Sequence, residues 1–231
     1  MPKARVHVQA ALEGLREQLV RMGTKAEAAI DLAVQCSLCR NARLCSEVLS
    51  LESEINQCER SVDEIAIQLL AQHHPTAADL RLLTASMKIN TNLQQIGGLA
   101  VLIADQSMSD YRPRMDLPVD LTKTGAAVSS MVRRALQTFA DEDRDLANAV
   151  LEMNDVVDRL SNDAWIHLVT EMRQSPEKLD QALAALMVMR SLERAAAYAA
   201  RIAEDVLFWI HGTWPGVREP SRVARLLRHG T

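Results

Sequence analysis

The sequence predicts an all-α protein made of two tandem three-helix antiparallel bundles. Three observations predict it: six apolar stripes with helical spacing, a shortage of helix breakers, and recurrence of one three-stripe plan about a hundred residues further on. The chain has 231 residues, enough for one or two domains with a sizeable core. Apolar residues make up 48% and aromatics 3%, so that core is expected to be aliphatic and rich in alanine.

The first stripe runs through Leu12, Leu15, Leu19, Met22, Ala26, Ala29, Ala33 and Cys36. Its alternating steps of three and four mark a helix packed nearly parallel to its neighbours. A turn at Arg40–Arg43 separates it from a second stripe, Val48, Leu51, Ile55, Cys58, Val62, Ile65 and Leu69. Pro75 and Thr76 suit the opening of a third helix, which continues through Leu82, Ile89, Leu93, Ile96, Ala100 and Ile103. Gly97 and Gly98 fall inside it. Each costs about 1 kcal/mol relative to alanine, which implies a close helix approach or a kink.

"SDYRPRMDLPVD", Ser109 to Asp120, has two prolines, mixed charge and no period, and so marks the central boundary. The division is therefore 1–110 for the first bundle, 111–118 for the linker, 119–212 for the second bundle and 213–231 for a basic tail. A fourth helix carries Val128, Met131, Ala135 and Phe139, and a fifth Leu146, Val150, Met153, Val157, Leu160 and Ala164. Ser175 is expected to cap the sixth, with Pro176 in its first turn. That helix has the cleanest seam, Ala182, Ala185, Met189, Leu192, Ala196, Ala199, Ala203, Val206 and Ile210, and is expected to stop near Gly212. Alanine there lets neighbours approach closely. The two copies align best in their last helices, with Leu93–Asp105 in phase with Leu192–Glu204.

Several function classes are disfavoured. A net charge of −4 argues against a nucleic-acid-coating surface. The start lacks a signal-peptide pattern and no run reaches 18 uninterrupted apolar residues, so a cytoplasmic protein is expected. No phosphate loop follows a strand, and neither a nucleophile elbow nor an acid/base pair is present, so no enzyme is expected. No Glu has a His three residues later, which excludes the ferritin-like carboxylate site. Cys36, Cys39, Cys45 and Cys58 contain one C-x-x-C, the spacing of a zinc site. Cys36 and Cys58 lie on the stripes, however, and read as free buried thiols. His73-His74 reads as a polar turn and His167 as a histidine near the core face. The tail places Arg218, Arg222, Arg225 and Arg228 around Val223, Leu226 and Leu227, a short basic helix or a solubilising end.

"PTAADLR" at Pro75–Arg81, "LQQIGGLAVLIAD" at Leu93–Asp105 and "SLERAAAYAARIAED" at Ser191–Asp205 together resemble the PhoU family of phosphate-signalling regulators. In that family a P-x-A-x-D-L-R opening leads to an E-R-I-G-D core and an N-I-A-E exit. The resemblance implies a cytoplasmic, often dimeric adaptor. Such adaptors couple the ATPase subunit of a phosphate ABC transporter to a phosphate-sensing histidine kinase and silence the starvation response when phosphate is plentiful. It places Asp79, Arg81, Glu193, Arg194 and Glu204 at candidate partner-binding positions.

Several members of the family also bind iron or zinc through an acidic E-x-x-x-D in each copy. Here those positions are Gln94 and Gly98 in the first copy, Glu193 and Ala197 in the second. The exit asparagine becomes Leu102 and Arg201, while Asp105 and Glu204 keep the exit acid. Hard cations need several anionic oxygens converging on one spot, so with three of four motif carboxylates gone no cofactor is expected. Two alternatives stay open. One is a rearranged iron or zinc site using Glu193, Glu204, Asp105 and the cysteines. The other is an interaction protein that kept only the fold. Arg201 is expected to pair with Glu204 and Asp205, three and four residues on.

Overall fold

The six stripes become six long helices: α1 (Pro2–Cys39), α2 (Ala42–Gln72), α3 (Ala77–Ser107), α4 (Leu121–Asp141), α5 (Arg144–Gln174) and α6 (Leu179–His211). The structure, a computed structural model, describes residues 2–39, 41–72, 75–107 and 119–212. No strand occurs among the described residues. The expectations for Arg40, His73-His74, the linker at 111–118 and the Arg-rich tail at 213–231 lie outside them. Helices α1–α3 pack as one bundle and α4–α6 as another, and the bundles join through α1 on α4 and α3 on α6. Every residue of the predicted α1 stripe, Leu12 to Cys36, is buried.

Side chains set the helix ends. Thr76 and Asp79 form a reciprocal box at the start of α3: the Thr76 N–H and hydroxyl donate to Asp79 Oδ2, and the Asp79 N–H donates to Thr76 Oγ1. Asp120 accepts from the Lys123 N–H at α4, and Asp143 from Asp145 and Leu146 at α5. Ser175 departs from expectation. It makes no side-chain cap; Pro176–Lys178 form one 3-10 turn, and α6 starts at Leu179. Proline's missing N–H is absorbed in that turn before the helix proper begins.

Two cysteine readings also change. The α1–α2 turn is tighter than Arg40–Arg43, and it brings Cys36 and Cys45 to a Cα separation of 5.6 Å, joined as a disulfide. Cys36 is thus buried but not a free thiol, while Cys39 is exposed and Cys58 half-buried. His167 faces solvent, because the buried side of α5 is set by Val157, Ala164 and Leu168, and 167 falls a sixth of a turn or more outside that arc.

The contact between α1 and α4 depends on two glycines. A Cβ at Gly23 would lie 2.7 Å from Leu136 Cγ, and one at Gly125 would lie 2.7 Å from Val34 Cγ2. Between these sockets Arg133 pairs with Glu27 at 3.3 Å, and Ser129 donates to Asp31. At the end of α4, Arg16 of α1 donates to the carbonyls of Phe139 (3.2 Å) and Ala140 (3.0 Å) and pairs with Glu142 at 3.2 Å. Its guanidinium lies over the Phe139 and Trp209 rings at 5.7 and 5.1 Å. A cation on the last carbonyls of a helix suits the negative end of its dipole.

The expected result for Gly23→Ala is a loss of about 1–3 kcal/mol from overpacking, against a helix-propensity gain of about 1 kcal/mol. In a Leu136→Ala background the loss should vanish, leaving the gain. Gly98, whose added Cβ would meet nothing within 4 Å, should instead be stabilised by up to about 1 kcal/mol as alanine. Urea unfolding of the three variants checks these signs.

Candidate functional site

Helices α3 and α6 run antiparallel along the seam between the bundles, and their facing positions build one polar groove. Its α3 wall carries Lys88, Thr91 and Asn92, and its α6 wall Arg201, Glu204 and Asp205. Asp205 is only 5% exposed. Asn92 Nδ2 donates to its Oδ2 at 3.2 Å, and Lys88 Nζ stands 3.6 Å from Oδ1. Burial dominates and pushes the Asp205 carboxyl up to about 6, with the Lys88 ammonium pulling the other way.

Arg201 does not pair with Glu204 or Asp205 as the spacing suggested. Its guanidinium lies over the Tyr198 ring, 5.1 Å from the centroid. From Tyr198 a chain of hydrogen bonds crosses three helices. The Tyr198 hydroxyl donates to Gln95 Oε1 (3.4 Å), and Gln95 Nε2 to Gln94 Oε1 (3.0 Å). Gln94 Nε2 then donates to Asn56 Oδ1 (3.1 Å), and Asn56 Nδ2 to Glu52 Oε1 (2.6 Å). The chain links α6 through α3 to α2.

The residues singled out from sequence do not gather in one place. Asp79 serves the α3 cap, and Arg81 reaches across the seam, its Nε donating to the Trp209 carbonyl at 3.4 Å near the end of α6. Glu193 accepts from Arg190 at 3.1 Å, Arg194 and Asp105 are exposed, and Glu204 alone of the set lines the groove. Sequence reasoning missed Lys88, Asn92 and Tyr198 and treated Asp205 only as a partner for Arg201. The available signal was a lone lysine within "ASMKIN", on the third helix, and a carboxylate in the alanine seam of the sixth.

The donors do not fit the family's iron or zinc cluster. Among the described residues no group of three or more His, Cys, Asp or Glu side chains converges. Gln94 is committed to Asn56, Glu193 to Arg190, Gly98 and Ala197 offer no oxygen, and Cys36 and Cys45 are bonded to each other. Gly97 and Gly98 also divide their roles: Gly97 lets Ile55 of α2 approach, and α3 runs through both without a break.

A duplicated six-helix scaffold, with a polar groove on the seam between its copies, is the class of protein these features define. The PhoU domain matches residues 19–107 and again 121–206, and the chain belongs to the PhoU family. It is 34% identical over 208 residues to the phosphate-specific transport system accessory protein PhoU homolog of Pseudomonas aeruginosa, covering 88% of this chain and 85% of that protein. It is 27% identical over 204 residues to the Escherichia coli accessory protein PhoU, covering 88% and 85%. The crystal structure of PhoU from Pseudomonas aeruginosa superposes with a TM-score of 0.82 at 33% identity, over 89% of this chain and 99% of that one. A Streptococcus pneumoniae PhoU structure gives the same TM-score at 18% identity, over 91% and 100%, which speaks for the fold alone. No helix among the described residues is long and apolar enough to cross a membrane.

Because the folded Asp205 pKa lies above its unfolded value near 3.8, the folded state holds a proton that the unfolded chain has already lost. The resulting stability is fully present below pH 3.8 and is lost as pH rises through about 6, a change on the order of 2–3 kcal/mol. Asp205→Asn should flatten this part of the profile. Thermal melts of both proteins between pH 4.5 and 7.5 measure the difference in slope.

Proposed function

We propose that this chain is a regulator of phosphate uptake that works by binding and not by catalysis. The observation that carries the reading is the double PhoU match over nearly the whole fold, together with relatives named as accessory proteins of phosphate-specific transport. In this reading the chain is cytoplasmic and forms a homodimer. It engages the ATPase subunit of a phosphate ABC transporter and a phosphate-sensing histidine kinase, and biases the kinase toward its silent state when phosphate is abundant. Long helical faces, tied across the seam by Asn92 and Lys88 on Asp205, support a binding role. Asp79 and Arg81 contribute by holding α3 and the end of α6 in place, while Glu193, Arg194 and Glu204 offer charge on or beside the outer side of α6.

Deleting the gene should raise phosphate-starvation transcripts in phosphate-rich medium, with restoration by the intact gene in trans. Transcripts that stay silent, with no co-purification of either the ATPase or the kinase, would overturn the reading.

A further inference from the structure

The seam groove carries more chemistry than a structural latch needs. Arg201 has carboxylates three and four residues ahead of it and forms a salt bridge with neither, although its charge is near enough to Asp205 to favour that carboxylate; no described residue accepts a hydrogen bond from its guanidinium. Lys88 is 45% exposed on its side chain while it leans on Asp205, so its ammonium faces both the buried carboxylate and the open groove. Thr91 and Asn92 add a hydroxyl and an amide on the same wall.

The repeat supplies an internal control. The offset that aligns Leu93 with Leu192 puts Met187 at the position equivalent to Lys88, Ser191 at that of Asn92, Leu102 at that of Arg201 and Gln106 at that of Asp205. Leu102 and Met187 are 47% and 45% exposed, so the duplicate positions face solvent as well, with apolar side chains. The exit acid is shared, with Asp105 standing where Glu204 stands, and Arg190 takes the place of Thr91, but the charges of Lys88, Arg201 and Asp205 have no counterpart in the other copy. Those three charges are therefore not a by-product of the duplicated fold.

We propose that this groove binds inorganic phosphate, with Lys88 and Arg201 donating to its oxygens and the Asp205–Glu204 carboxylates accepting its remaining proton. Two cations beside two carboxylates make a poor site for a fully deprotonated oxyanion, whose lone pairs would face the lone pairs of the acids. A ligand with both anionic oxygens and an O–H satisfies both sets. At pH 7.5 inorganic phosphate still carries such a proton. Sulfate has none, and a phosphate monoester has mostly lost its last one, with a second pKa of about 6. Occupancy would bridge α3 of one bundle to α6 of the other, so a ligand there acts on the one seam through which these two helices meet. The inference deepens the phosphate-regulator reading by naming what is sensed, and rests on it only for its biological use.

Calorimetric titration of the full chain at pH 7.5 and low ionic strength, after exhaustive removal of phosphate, tests it directly. The expected result is saturable binding of phosphate at least tenfold tighter than of sulfate or glycerol 3-phosphate. Arg201→Leu and Lys88→Met, each writing in the residue of the other repeat, should weaken phosphate at least tenfold; the former removes no described ion pair. Absence of phosphate binding, or equal binding of all three anions, overturns the proposal on the unmodified protein whatever the variants do. Unchanged affinity in a folded Arg201→Leu protein overturns the placement. If phosphate does not bind while gene deletion still derepresses transcription, only this inference falls.

Discussion

The reciprocal fit of α1 and α4 is the constraint on which the rest depends. Leu136 sits in the gap left by Gly23, and Val34 sits in the gap left by Gly125. Each step forward along α1 is matched by an equal step back along α4, so Glu27–Arg133 and Asp31–Ser129 fall between the two sockets in the same register. A helix interface with two such sockets has one register, because sliding by a turn would drive a branched side chain into backbone. Fixing α1 on α4 fixes one bundle on the other. The α3–α6 seam, with its buried carboxylate and its hydrogen-bonded chain, is then held in register.

Divergence between the copies has used this symmetry. Glu27 and Asp31 are acids on α1, while Ser129 and Arg133 stand opposite on α4. If each bundle met a copy of itself through this face, acids would face acids on one pairing and arginine would face arginine or serine on the other. Like charges disfavour the first pairing and the second leaves Arg133 without its acid, so the two halves of one chain are the better match. The interface is thus specific through its charges and tight through its glycines, two separate devices on one helix pair.

Much of the architecture was legible because helical burial repeats with the helix. Every residue of the α1 stripe and the alanine seam of α6 from Ala182 to Val206 lies in the core. What sequence could not show are partners a hundred residues away. Nothing local marks Arg16 as the cation at the end of α4 or Lys88 as the neighbour of Asp205. The Cys36–Cys45 pair is only nine residues apart, but its closure depends on how tightly α1 turns into α2. His167 failed for a different reason: a residue at the margin of an amphipathic face moves from core to solvent with a small rotation of the helix. The glycines were half legible. Gly97 earned its place beside Ile55, whereas Gly23 and Gly125 went unremarked, although they are spaced by nearly the repeat length.

The degenerate motif gains a physical meaning from this frame. Where the family resemblance implies a metal-binding glutamate, Gln94 holds a place in a chain of amides from Glu52 to Tyr198. A carboxylate at that position can accept but not donate, so it could not take the proton of Gln95 and also give one to Asn56. An amide can do both, and here it does. A metal cluster draws side chains together by bonding them to one centre. The amide chain reaches across the same helices with neutral hydrogen bonds, each worth about 1 kcal/mol. Loss of the carboxylates therefore need not mean loss of order at this surface. The amide chain is a tie encoded in the sequence itself, and the charged chemistry of the seam lies with Lys88, Arg201, Glu204 and Asp205.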